Sequence, residues 1–245
     1  MIDVSVVIPA RNEAENILPL LDEIALACAG LSHEVIVVDD GSTDATAQVL
    51  TQRMSVQPNL RLVQHDSSAG QSAAVHSGVL AARGEYVCTL DGDGQNPPAE
   101  LPKLIAPLLA DKEVKIGIVA GQRVKRQDTL SKKLASRFAN LLRSWLLRDG
   151  TRDTGCGLKA FRREAFLQLP YFDHMHRYLP ALFARDGWQI AHVDVAPRPR
   201  GAGRSNYSNL QRGLVGAADL LGVAWLLRRR KKARPHEPAH ERGDN

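Results

Sequence analysis

Short apolar segments recur through the first half of this 245-residue chain. Each opens into a polar cluster and is followed by residues at helical spacing, and this alternation constrains the fold more than any other feature. VSVVIP precedes NEAENILPLLDEIALACA, in which Ile17, Leu20, Leu21, Ile24 and Cys28 share one helical face. EVIVVDD leads into GSTDATAQVL, a helix that Ser42 or Thr43 is placed to cap. LRLVQH precedes GQSAAVHSGVLAA, EYVCTL precedes AELPKLIAPLL after two prolines, and IGIVAGQR is a further strand. No repeat or linker interrupts the series. Uniformly apolar strands alternating with helices predict an α/β fold, with a mostly parallel central sheet flanked by helices on both faces.

Such a sheet assigns an address to function, because ligands of open α/β sheets bind beyond the carboxyl ends of the strands. Three polar clusters lie at such ends: PARNE (9–13), DDGSTD (39–44) and DGDGQ (91–95). The second also begins a helix, whose first N–H groups suit phosphate. In CTLDGDGQNPP, Asp91 and Asp93 stand two apart where a strand opens into a loop. Turn chemistry accounts for Asp and Gly at such a place. A hard divalent cation accounts for them equally, since it takes paired carboxylates plus the oxygens of a phosphate-bearing substrate. Turn chemistry explains any one of the three clusters more easily than it explains all three at one address.

The formal net charge of +5 raises the question of nucleic acid. Six positive charges fall in RRRKKAR (228–234), and the PHEPAHERGDN that follows holds one arginine and three acids. Without these two stretches the chain carries 25 basic and 24 acidic residues. The basicity is a local feature of one end, which argues against nucleic-acid binding by the domain. Cys28, Cys88 and Cys156 are odd in number and far apart, with neither zinc spacing nor a disulfide framework, as expected in a reducing cytoplasm. The first apolar segment is too short for a signal-peptide core, so export is not expected.

VSVVIPARNEAENI, VIVVDDGSTDAT and DGDGQNPP, taken in order, resemble the family 2 inverting glycosyltransferases of the GT-A fold. The D-x-D-x-Q-x-P-P form is similar, more narrowly, to the dolichol-phosphate mannosyltransferase branch and its bacterial polyprenyl-phosphate relatives. DTGCGLKAFRREA (153–165) resembles the acceptor-side motif of that branch, and RPRGAGRSNYS (198–208) its closing loop. The resemblance covers roughly residues 3–227. It implies that Asp39 and the loop Pro9, Arg11, Glu13 hold the base and ribose of a nucleotide sugar, with Asp40, Asp44 and Gly70 nearby. It implies that Asp91 and Asp93 bring Mg²⁺ or Mn²⁺ to the donor diphosphate, with Gln95 supporting that shell. Such an ion would neutralise the charge that develops as the sugar–phosphate bond breaks.

A phosphate monoester has a second pKa of about 6 and is already a nucleophilic anion at neutral pH. A lipid-phosphate acceptor therefore needs cations to position it more than a base to deprotonate it. Arg123, then Lys132, Lys133 and Arg137, then Arg200 and Arg204 supply them, although each taken singly also suits a solvated surface. Motif position selects Arg123 and Arg204 as catalytic candidates, with Asp153 as a base or an orienter. Two departures from the branch stand out: some relatives carry an acid where Cys156 sits, and many carry Lys at Asn206.

TLSKKLASRFANLLRSWLL (129–147) is amphipathic, which suits core packing or a helix lying on a membrane; in relatives this segment lies beside the membrane. GLVGAADLLGVAWLL (213–227) contains Asp219 and as a helix reaches only about 22 Å, short of a bilayer core of about 30 Å. It reads as a packed terminal helix or, with the basic run, as peripheral attachment.

The expectation is one GT-A domain over 1–227, with a nucleotide-sugar and metal half (1–122) and an acceptor half (123–227), then a basic, disordered tail (228–245). It would move mannose from GDP-mannose, or a hexose from a UDP-sugar, to a polyprenyl or dolichyl phosphate. The work would be done peripherally on the cytoplasmic face of the membrane, with a small integral membrane protein as a further possible partner. Two other readings compete. A receiver-like signalling domain would use VVDDG as its acidic pocket, but has about half this length and no role for D-x-D-x-Q. A non-catalytic nucleotide-sugar-binding scaffold has no need of intact Asp91, Asp93 and Gln95.

Overall fold

The computed structural model of the protein describes residues 2–124, 143, 146–147, 149–196, 198 and 209–229, with side chains of the last stretch described from 216. In chain order the elements begin β1 (Val4–Ala10), α1 (Ile17–Ala27), β2 (His33–Asp39), α2 (Thr46–Met54), β3 (Leu60–Gln64) and α3 (Gln71–Ala81). Next come β4 (Tyr86–Thr89), a 3₁₀ turn (Pro98–Glu100), α4 (Leu101–Ala110) and β5 (Ile116–Arg123). The chain continues with β6 (Lys159–Arg162), α5 (Arg163–Leu167), a second 3₁₀ turn (Met175–Arg177), α6 (Leu179–Arg185), β7 (Gln189–Val195) and α7 (Asn209–Arg228).

Seven strands form one sheet in the order β3-β2-β1-β4-β6-β5-β7. β1 pairs in parallel with both β2 and β4, and β2 pairs in parallel with β3. β6 runs antiparallel to β4 and β5, and β5 pairs in parallel with β7. The expected mostly parallel sheet is present, with β6 the antiparallel strand among those described.

Strand alternation divides the core. Val4, Val6 and Ile8 point to the layer of α1 and α4, where Leu20, Leu21, Ile24, Leu104 and Leu108 are fully buried. Val7, Ile36 and Val38 point to the opposite layer with Val75 and Val79 of α3, Phe166 of α5 and Phe183 of α6. Burial on both faces explains why these strands read as continuous apolar runs, and each such side chain contributes roughly 1.5–3 kcal/mol. Phe161 of β6 stacks on Phe166, which holds the antiparallel strand to the same layer.

Helix starts differ from the sequence reading. α1 begins at Ile17 rather than Asn12, because residues 11–16 form a loop bonded to the loop after β2. α2 begins at Thr46, and neither Ser42 nor Thr43 caps it. The Asp44 carboxylate takes the Thr46 N–H at 2.9 Å, while Ser42 Oγ accepts from the Asn12 N–H and the Thr43 N–H donates to Asn12 Oδ1.

α7 is longer than the apolar run that suggested it, and one of its faces packs on the domain. Val223 is buried, and Asp219 Oδ2 lies 2.9 Å from His174 Nδ1. The Tyr178 hydroxyl donates to Gly216 O. The outer face exposes Leu221 and Trp225. Among the described residues no helix is long and apolar enough to cross a membrane. Most of 129–147 and of 228–245 lies outside the described residues.

Candidate active site

The three polar clusters meet along one edge of the sheet, as β1, β2 and β4 run parallel and end together. Ala10 is the register partner of Asp39, and the Asp40 N–H donates to Ala10 O. Asp39 is buried, and its Oδ1 accepts the Ser42 N–H at 2.9 Å. Asp44 joins the first two clusters by accepting from Ala14 N–H as well as from both the hydroxyl and the N–H of Thr46. Burial would raise its carboxyl, but those hydrogen bonds outweigh it and hold Asp44 below the ordinary carboxylate range. Thr46 Oγ1 in turn accepts the Glu13 N–H, which fixes the loop from Pro9 through Arg11 to Glu13.

Asp40 is turned towards its own chain. Its Oδ1 takes the Ala69 N–H and lies 2.8 Å from His65 Nδ1, while its Oδ2 takes the Ser68 hydroxyl and the Gly70 N–H. These four partners outweigh a burial effect of opposite sign and keep its pKa lowered. The other ring nitrogen of His65 meets Ser77 Oγ at 2.9 Å. Asp40 thereby shapes the loop 68–70 that leads into α3, and Gly70 enters the site through that loop.

The third cluster is a two-carboxylate loop. Gln71 Nε2 donates to Asp91 Oδ1 at 2.7 Å, and Asn96 Nδ2 to Asp91 Oδ2 at 3.0 Å. The Gln95 N–H donates to Asp93 Oδ1 at 3.0 Å, so this residue's recorded bond within the loop is made by its backbone. Asp91 keeps part of its surface open to solvent although protein atoms crowd it. That crowding, with the charge of Asp93 second, raises the Asp91 pKa against the opposing pull of Lys159, Asn96 and Arg123. Gly157 lies against the same carboxylate, and any Cβ there would overlap Asp91 Oδ2.

These groups fit a divalent ion. Two like charges are held side by side, and a cation between them removes their repulsion. Among the described residues no group of three or more His, Cys, Asp or Glu side chains is placed to hold a metal ion by itself. The remaining coordination would come from water and a diphosphate, the usual arrangement for Mg²⁺ and Mn²⁺ sites that hold nucleotides.

At the end of β5, Arg123 and Asp153 form a forked ion pair, Nε to Oδ2 at 2.5 Å and Nη2 to Oδ1 at 2.9 Å. The pair raises the Arg123 pKa and engages both oxygens of Asp153, which suits an orienter better than a base. Buried Gln122 holds the segment in place, its Oε1 accepting the N–H groups of Arg152 and Asp153. Lys159 is buried at the start of β6 and donates to Cys156 O. Burial lowers its pKa, against the pull of Cys156, Asp91 and Asp153. Arg200, Arg204 and Asn206, and the cations Lys132, Lys133 and Arg137, lie outside the described residues.

Sequence reasoning missed Gln71, Asn96, Gln122 and Lys159. The first three are uncharged amides whose role depends on the fold bringing them to a carboxylate or a backbone turn. Only Lys159, a cation within the acceptor-side motif, carried a legible signal.

A mostly parallel sheet of this order, with a two-carboxylate loop after its fourth strand, is the architecture of the GT-A glycosyltransferases. The structure superposes on mannosyl-3-phosphoglycerate synthase from Rubrobacter xylanophilus with a TM-score of 0.70 at 21% identity, covering 93% of this chain and 74% of that one. It superposes on glucosyl-3-phosphoglycerate synthase from Mycobacterium tuberculosis, solved with Mn²⁺, UDP-glucose and glycerol 3-phosphate, with a TM-score of 0.66 at 21% identity and coverages of 92% and 79%. At such identities the likeness establishes the fold.

Sequence similarity is closer elsewhere. Dodecaprenyl-phosphate galacturonate synthase of Rhizobium johnstonii is 34% identical over 242 residues, 96% of this chain and 69% of that protein. Undecaprenyl-phosphate 4-deoxy-4-formamido-L-arabinose transferase of Pectobacterium carotovorum is 35% identical over 212 residues, 85% of this chain and 64% of that protein. The chain thus spans about two thirds of the length of these relatives. The family model for Glycosyl transferase family 2 matches residues 5–169, and the chain belongs to that family.

Proposed function

We propose that the protein transfers a sugar, with inversion, from a nucleoside-diphosphate sugar to a polyprenyl phosphate at the cytoplasmic face of a membrane. The observation that carries this reading is the loop in which Asp91 and Asp93 are braced as a pair at the mouth of the sheet. The polyprenyl-phosphate acceptor is supported by the names of the two relatives above, both of which act on such carriers. Those names carry galacturonate and a formamido-arabinose, whereas motif likeness alone suggested mannose from GDP-mannose or a hexose from a UDP-sugar. The donor is therefore assigned as a class, and the particular sugar is a matter for assay.

Asp39, with the loop Pro9–Glu13, would hold the base and ribose, and Asp40, Asp44 and Gly70 would set the shape of that pocket. Asp91 and Asp93 would hold Mg²⁺ or Mn²⁺, which when bound supplies charge for the leaving diphosphate. Gln71 and Asn96 keep the Asp91 carboxylate aimed, and the Gln95 N–H does the same for Asp93. Arg123, oriented by Asp153, would present positive charge to the acceptor phosphate, with Arg204 as a second cation. The acceptor anion needs no base above its second pKa of about 6.

The test is a panel of labelled UDP- and GDP-sugars with a short polyprenyl phosphate, with and without EDTA. Asp93→Asn keeps size and removes charge, so turnover should fall about 100- to 1,000-fold with the melting temperature unchanged. The rate should decline below about pH 6 as the acceptor phosphate protonates. Full activity in EDTA would remove the metal from this reading, and transfer to a free oligosaccharide instead of the lipid phosphate would remove the acceptor.

A further inference from the structure

One arginine that no part of this reaction requires reaches the metal loop from a hundred residues away. Arg198 follows β7, and its Nε donates to Gly94 O while its backbone N–H donates to Gln95 O at 3.2 Å. Nη1 of the same guanidinium reaches both oxygens of Glu23, at 3.0 and 2.9 Å. Glu23 stands on α1, whose other face is fixed to the sheet by Ile17, Leu20, Leu21 and Ile24. A rigid post on α1 is thus joined by one strut to two consecutive carbonyls of the loop between Asp93 and Asn96.

We infer that Arg198, braced by Glu23, is a positioning residue that holds the two-carboxylate loop in its metal-binding shape. The inference rests on the proposed reading of Asp91 and Asp93 as metal ligands. The loop has two reasons to need support. It holds two like charges close together, and it turns through Gly94 at φ +72°, which directs backbone carbonyls away from any sheet or helix partner. Arg198 meets the second need directly, its side chain satisfying the Gly94 carbonyl and its backbone N–H the Gln95 carbonyl, and so holds the loop that carries the two charges. Arginine is required because one planar fork serves Gly94 O and Glu23 together, which a lysine ammonium cannot do in the same geometry. Groups that orient metal ligands commonly change metal affinity by about 10- to 100-fold when removed.

The opposing account is a solvated ion pair. The two side chains are 36% and 40% exposed, and exposed pairs contribute little to stability. The two accounts diverge in what a substitution moves. The full chain carrying Arg198→Gln, Arg198→Lys or Glu23→Gln is compared with wild type by Mn²⁺ titration, alone and with UDP or GDP, read by the electron paramagnetic resonance of free Mn²⁺. Amide hydrogen exchange over 91–98 and thermal melting are followed on the same samples. Arg198→Gln should weaken Mn²⁺ binding about tenfold and speed exchange at Gly94–Asn96 with melting unchanged. Arg198→Lys and Glu23→Gln should fall between it and wild type, and saturating Mn²⁺ should restore most turnover. Wild-type Mn²⁺ affinity and wild-type exchange in Arg198→Gln would overturn the strut while leaving the metal reading intact. Failure of the wild-type protein to bind Mn²⁺ under any of these conditions would overturn the metal reading, and with it the role given to Arg198.

Discussion

Asp39 and Asp40 are adjacent and chemically identical, yet the fold employs them differently. Asp39 ends β2 and accepts the Ser42 N–H, whereas Asp40 spends four hydrogen bonds on loop 68–70 and His65. The sequence marks the pair as a candidate for the site but could not divide the labour, because that depends on a loop about 30 residues downstream. Gly157 presents the reverse case, a residue unremarkable in sequence and decisive in space. Gly157→Ala would force a Cβ into the Asp91 carboxylate. A displacement near 1 Å at such a group costs on the order of 100-fold in rate, so turnover should fall at least that far. Loss of Mn²⁺ affinity should accompany it, with little change in melting, since no buried contact is removed. Normal turnover and metal binding in this variant would mean that Asp91 has room to move without consequence.

Among the elements, β1 to β5 were legible because burial on both faces forces continuous apolar runs, and the helices between them because their apolar faces recur at helical spacing. β6 was not legible: four residues, KAFR, are too short to show a period, and two of them are charged. Among the described residues β7 pairs with β5 alone and is half-exposed along its length, so QIAHVDV lacks the apolar signature. The parallel strands also carry a polar tie at the edge opposite the site. Ser5 of β1 donates to Glu34 of β2 at 2.7 Å, Arg61 of β3 to the other Glu34 oxygen at 2.8 Å, and the Arg83 N–H to the first. Burial would raise the Glu34 carboxyl, but these bonds outweigh it and lower its pKa. A carboxyl lowered by folding stabilises the native state above the ordinary carboxylate range, and that contribution is lost as pH falls through its lowered value. Glu34→Ala should therefore destabilise by about 1–3 kcal/mol at pH 7, by leaving buried donors unpaired. Denaturant melts from pH 7 to pH 3 should show the gap between wild type and variant closing on the acid side. A gap independent of pH would mean that the charge of Glu34 contributes nothing.

For the whole molecule, position of charge matters more than its total. The domain is nearly neutral, while six cations occupy 228–234, at the end of a helix docked on the domain through Asp219 and Val223 and open on its other side at Leu221 and Trp225. The Arg229 guanidinium lies 5.7 Å from the centre of the Trp225 ring, which joins the apolar face to the second of the basic residues. An aromatic and aliphatic face ending in arginines suits the surface of an anionic bilayer, and each charge there is worth on the order of 1 kcal/mol. Removing 230–245 takes away four of the six cations and spares the contacts of Arg185 with Leu226 O and Arg229 O. The described site residues run from Pro9 to Lys159 and none belongs to the removed segment, so metal and nucleotide affinity should be unchanged. Co-sedimentation with anionic vesicles should weaken at low salt and lose most of its salt dependence, because screened attraction is what has been removed. Turnover of a long-chain acceptor in those vesicles should fall with it, while a short soluble acceptor reacts as before. Equal sedimentation of both forms at low and high salt would assign attachment to the face of Leu221 and Trp225 or to 129–147, and the basic run would then be solvated charge alone.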